Sequence, residues 1–162
     1  MVATRNNPSE DRIILGRFFR YPRIGPGYTW KNRGRRSRRS SLGCLVRWLM
    51  DCTKSLNNPE ARYHSYEDFA DELGFHQASI RNVSYLNEKS TDGEIFVQLS
   101  YWIEEIFGYK DDNGNWCGPK LHPDELLDMS NYDDIKGIKW MSVASRIQEH
   151  VKATMRDRKL KV

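Results

Sequence analysis

Two groups of residues in this 162-residue chain are of types that could do chemistry. The first is polar: His76, Gln77, Ala78, Ser79, Arg81, Asn82 and Tyr85 fall within ten residues. On a short helix they would present amides, hydroxyls and a guanidinium, groups that pair with base edges, and the Ala78 methyl suits a thymine methyl. The second is basic: Lys31, Arg33, Arg35, Arg36, Arg38 and Arg39 lie within nine residues. Each cation that meets a phosphate releases a counterion, so polyanion binding is favoured over a merely solubilising tail. Like charges at this density repel one another and offer no apolar face, so the run is expected to be mobile in the free protein. Phe18, Phe19, Tyr21, Tyr28 and Trp30 lie among or near the arginines, where they could stack on bases or pin the arm to a folded body.

Other chemistries find little support. There is no glycine-rich phosphate loop, no H-E-x-x-H and no G-x-S-x-G, so no enzyme activity and no cofactor is expected. Cys44, Cys52 and Cys117 form no C-x-x-C pair, and His64, His76 and His122 stand at irregular spacing from them. Neither a disulfide framework nor a metal site is expected. Asp111, Asn113 and Asn115 superficially suggest a calcium loop, but Gly114 comes one place too early.

Charge is unevenly spread. Residues 1–40 hold 11 Lys/Arg against two acids, a net +9, while residues 41–162 carry 15 Lys/Arg and 20 Asp/Glu, a net −5. The whole chain is +4, with 38% apolar residues, 12% aromatics and a mean hydropathy of −0.77. Aromatics at this level argue for a folded body. No run approaches the roughly 18 apolar residues of a membrane helix, and no secretory signal is recognisable. A cytoplasmic protein is expected.

The polar group must be held by a helical frame. Leu42, Leu45, Val46, Leu49, Cys52 and Leu56 follow one helix face, with Ser40 or Ser41 as cap and Pro59 beyond the end. Ser65 to Asp68 resembles a capping box before Phe69, Ala70 and Leu73, and Gly74 ends that second helix. A third helix from 76 or 77 to 86 should bury Ile80, Val83 and Leu86. Thr91 to Glu94 opens a fourth, whose face carries Ile95, Phe96, Leu99, Trp102, Ile103, Ile106 and Phe107. A hairpin turn at Asn113-Gly114 follows. Then come a short helix from Pro123 to Met129 and a last helix over 139–159 carrying Trp140, Ala144, Ile147 and Val151.

Ala70, Gly74, Ile80 and Val83 carry the steric pattern of two helices crossing closely through a glycine turn. With these offsets, and with the run Ala70-Asp71-Glu72-Leu73-Gly74-Phe75-His76-Gln77, the chain resembles the lambda-repressor-like (Cro/C1, XRE) helix-turn-helix family over residues 41–108. Tyr66 stands where that family commonly carries Gln. The resemblance implies an all-α fold: a lambda-repressor-like helical bundle with a basic N-terminal arm (1–40) and a C-terminal helical extension (109–162) for dimerisation or partner binding.

Function follows as expectation. The resemblance implies a sequence-specific double-stranded DNA-binding transcription regulator, a repressor of a bacterium, phage or mobile element, associated with the nucleoid. Helix 77–86 would enter the major groove, with Gln77 at the position that often reads adenine and Arg81 or Asn82 on a base or phosphate. One such motif reads few base pairs, so a homodimer through helix 139–159 or 95–107 is expected. The alternatives are an RNA-binding protein led by the arginine-rich arm and a DNA-binding antitoxin-like module whose 109–162 segment holds a protein partner.

Overall fold

Helix α1 (Ser41–Cys52) organises the fold. Every residue of it except Arg47 is buried, whereas the sequence pattern predicted one apolar face. The reason is packing on several sides: α3 (Gln77–Ser84), α5 (Pro123–Ser130) and α6 (Ile138–Asp157) all lie against it. Cys44, Trp48 and Met50, off the predicted stripe, are therefore as buried as Leu45 and Leu49. The computed structural model describes residue 24 and residues 39–52, 66–86, 93–134 and 136–157. The predicted end of the first helix near Asn57 and the caps at Ser65 and Thr91 lie outside them.

The described residues form six helices and one short ribbon, so the all-α class expected from periodicity is observed. The remaining elements are α2 (Tyr66–Leu73), α4 (Glu94–Ile106) and the strands β1 (Tyr109–Lys110) and β2 (Trp116–Cys117). The strands pair antiparallel across a loop closed by Asp111, whose Oδ1 accepts from the amides of Asn113 at 2.9 Å and Asn115 at 2.8 Å. Of the three residues that suggested a calcium loop, Asp111 thus spends a carboxylate oxygen on a local turn, to which Asn113 and Asn115 bring their backbone amides.

The described part of segment 109–162 shares one core with the helices before it. Leu126 and Met129 of α5 and Trp140, Val143, Ala144, Ile147 and Val151 of α6 belong to the same cluster as Leu42, Leu45 and Leu49. Burial of each large apolar side chain contributes about 1.5–3 kcal/mol, so α6 is held by several such terms. The apolar faces of α4 and α6, which the sequence offered as dimer surfaces, are buried within one chain. Trp102 and Trp140 are core residues; Trp102 meets Phe69 edge to face at 5.0 Å and donates to Glu72 Oε2 at 2.6 Å.

A buried carboxylate joins the two ends of this core. Asp134 Oδ2 accepts from the Ser41 hydroxyl at 3.1 Å and from Trp140 N at 2.8 Å, and Oδ1 accepts from Lys139 N at 3.3 Å. It sits where the helices α1 and α6 begin, and uncapped amides there favour negative charge.

Candidate nucleic-acid interface

The α2–α3 unit is shaped by its turn. Gly74 has φ +82°, its amide donates to Asp71 O at 3.2 Å, and Phe75 N donates to Ala70 O at 2.9 Å. This pairing satisfies the last carbonyls of α2 and requires a left-handed residue at position 74, which glycine adopts at little cost. Phe69 and Ala70 face inward from α2, and Ile80 and Val83 from α3. The burial expected from the sequence holds at these four positions.

The opposite side of α3 meets solvent at its start. His76, Gln77 and Ala78 are exposed, and Ser79, Arg81 and Asn82 are half-buried. His76 is the N-cap by backbone geometry, φ −70° and ψ 149°, and its side chain makes no capping bond. The helix ends at Ser84, so the predicted span to Leu86 is two residues too long. Two consequences follow. Leu86 is only half-buried, and Tyr85, expected to face a ligand, is extended and 1% exposed. Tyr85 is therefore not a contact residue: once the helix stops, the alternation of extended backbone turns its side chain into the core.

Arg39 also departs from expectation. Rather than belonging to a solvated arm, it is half-buried and forms an antiparallel bridge with Tyr85. Its guanidinium lies beside both the Tyr66 and Tyr85 hydroxyls, and the two rings meet edge to face at 6.5 Å. Lys31, Arg33, Arg35, Arg36 and Arg38 lie outside the described residues, as do the five aromatics of the arm.

Burial pushes the Tyr66 hydroxyl up from 10.0 to about 12; Arg39 opposes the shift and Tyr85 adds to it. A group that holds its proton more tightly when folded stabilises the fold below the unfolded value and loses that contribution as pH climbs through the folded one. Stability should therefore fall between pH 10 and about 12. Denaturant midpoints across this range should show a shallower decline in Tyr66→Phe; an identical decline would remove Tyr66 as its source.

Sequence reasoning overlooked an acidic groove. Glu67 and Asp71 of α2, with Gly74, Phe75, His76 and Gln77, line an open cavity of about 470 Å³ beside the start of α3. Their i, i+4 spacing was the available signal, since such residues share a helix face. Helix α2 carries four acids and no base. Among the described residues no three His, Cys, Asp or Glu side chains group so as to hold a metal ion, and no helix is long and apolar enough to cross a membrane. Comparison with known proteins returns no relative: no family model, no curated protein and no solved structure matches the chain.

Proposed function

We propose that the chain is a sequence-reading DNA-binding protein in which α2, the Gly74 turn and α3 act as a helix-turn-helix of the lambda-repressor-like type. The observation that carries this reading is the two-sidedness of α3. Ile80 and Val83 anchor one side in the core, while His76, Gln77 and Ala78 at its start stand free of it. An anchored helix with an exposed polar start fits a major groove, where amide and guanidinium groups distinguish base pairs.

The acidic groove sets how such a protein must divide its labour. A carboxylate about 7 Å from a phosphate costs roughly 0.6 kcal/mol in water, less after screening by salt. That penalty is too small to prevent docking, yet it means that the body contributes little attraction. Attraction falls to the basic arm, and discrimination to Gln77, Arg81 and Asn82. Regulation of transcription, as a repressor acting as a homodimer, is the role proposed for this binding.

The test is selection from a randomised duplex library, followed by affinity measurements on the enriched duplex and a shuffled one. Gln77→Ala and Arg81→Ala should each lower the preference for the enriched duplex by about 1–3 kcal/mol. An Arg81→Ala loss that is uniform across sequences would assign Arg81 to a phosphate instead. A second reading has an observation of its own: the acids of α2 place α3 on a phosphate-repelling face, which favours RNA binding led by the arm. Under it the duplex library yields no enrichment, and both substitutions leave RNA affinity unchanged.

A further inference from the structure

The loop between β1 and β2 holds the pair Asn113-Gly114, a side-chain amide followed by a residue with no side chain. Both are exposed, and nothing lies within 4 Å of a Cβ placed at Gly114. A backbone nitrogen that follows asparagine can attack the side-chain amide carbon and close a succinimide, and a bare glycine leaves that approach open. The other described asparagines, Asn82, Asn115 and Asn131, precede Val83, Trp116 and Tyr132, whose bulk hinders it. The folded loop works against the attack. Gly114 N donates to Asp111 O at 3.0 Å and Asp111 N to Asn115 O at 2.8 Å, while Asp111 Oδ1 accepts from the amides of Asn113 and Asn115. In a turn closed by such a bond the third residue, here Asn113, has ψ of about 0°. Bringing the Gly114 nitrogen over Asn113 Cγ rotates that torsion well away and breaks the bond to Asp111.

We propose that Asn113 is a deamidation site gated by the Asp111 turn: it converts only when the loop opens, and conversion then unpairs the β1–β2 ribbon irreversibly. The Gly114 nitrogen bonds to Asn113 Cγ, the Cγ–Nδ2 bond breaks, and ammonia leaves with the Gly114 amide proton. Water then adds to the succinimide. Opening at Cγ gives aspartate, and opening at the backbone carbonyl gives isoaspartate, whose main chain is longer by one carbon. No oxidant or reductant takes part. The longer chain takes the amides of Gly114 and Asn115 out of line with Asp111. In either product a new carboxylate stands beside Asp111 and Asp112, where like charges repel. The inference is independent of the DNA-reading proposal.

The experiment incubates the full chain, its Asp111→Ala and Asp111→Asn variants, and a synthetic peptide of residues 109–117 at mildly alkaline pH. Peptide mapping by mass spectrometry follows the change from amide to acid at position 113, chromatography resolves the isoaspartyl form, and near-ultraviolet circular dichroism checks each fold. The wild-type chain should convert about ten to a hundred times more slowly than the peptide, as a loop-opening step before attack requires. Asp111→Ala should convert at least about fivefold faster than wild type. Asp111→Asn, whose side-chain oxygen still accepts both amides, should stay near the wild-type rate. Low denaturant should raise the wild-type rate toward that of the peptide, which decides the matter if Asp111→Ala does not fold. Hydrogen exchange over 109–117 should quicken in converted chains. An Asn113 that stays intact over about a thousand peptide half-lives overturns the site. Conversion at the peptide's rate, an Asp111→Ala rate equal to wild type, or an Asp111→Asn rate equal to Asp111→Ala overturns the gate. Unchanged exchange in converted chains overturns the unpairing.

Discussion

Replacing Lys31, Arg33, Arg35, Arg36 and Arg38 together by glutamine will lower duplex affinity about 10²–10³-fold near 150 mM salt. It will also flatten the dependence of log K on log salt by about 4 to 5, since each neutralised phosphate contributes about 0.9 to that slope. The magnitude follows from the separation of charge along the chain. Residues 41–162 are net negative, and the face beside α3 carries Glu67 and Asp71, so little inside the folded part can replace the arm. The preference between enriched and shuffled duplexes should survive where binding is still measurable, because Gln77 and Arg81 are unchanged. Salt titrations of both proteins by fluorescence anisotropy check this. An unchanged slope would mean that phosphates are held elsewhere, and the acidic groove would then need another explanation.

Gly43→Ala will destabilise the fold by about 3 kcal/mol, a drop in Tm of roughly 6–12 °C for a chain of this size. A Cβ at position 43 would stand 2.0 Å from Ser84 O and 2.8 Å from Ser84 C. Both are backbone atoms, and the Ser84 carbonyl is already tied to Ser40 N, so neither helix yields without losing that bond. Gly74→Ala is the informative contrast. Nothing lies within 4 Å of a Cβ there, but φ is +82°. That change pays only the left-handed penalty of about 1–2 kcal/mol. Paired thermal melts should show Gly43→Ala as clearly the lower. Equal melting temperatures would refute the close approach of α1 and α3.

The local elements were legible because their signals are local. Gly74 ends α2 with the hydrogen bonds its sequence setting implies, and Pro123 opens α5. Trp140, Ala144, Ile147 and Val151 mark the inward face of α6 whatever it packs against. Periodicity states that a face will be covered; it does not state by what. Hence the stripes of α4 and α6 served equally well as dimer surfaces until their partners within the chain were known.

What the amino-acid sequence determined alone is the set of helices, the turn at Gly74, the inward placement of Ile80 and Val83, and the concentration of basic charge before residue 40. Each depends on neighbours within a few turns, where hydrogen-bond geometry and side-chain spacing suffice. Tertiary structure decided the rest. It buried α1 at every position but Arg47, drew Tyr85 into the core with the half-buried Arg39 beside it, and set Glu67 and Asp71 beside His76 and Gln77. Ser40, a plausible helix cap by sequence, became the tie between two helices through carbonyls 43 and 44 residues away. Contacts at that separation depend on how whole helices stack, and no local pattern of side chains encodes which backbone carbonyl will arrive.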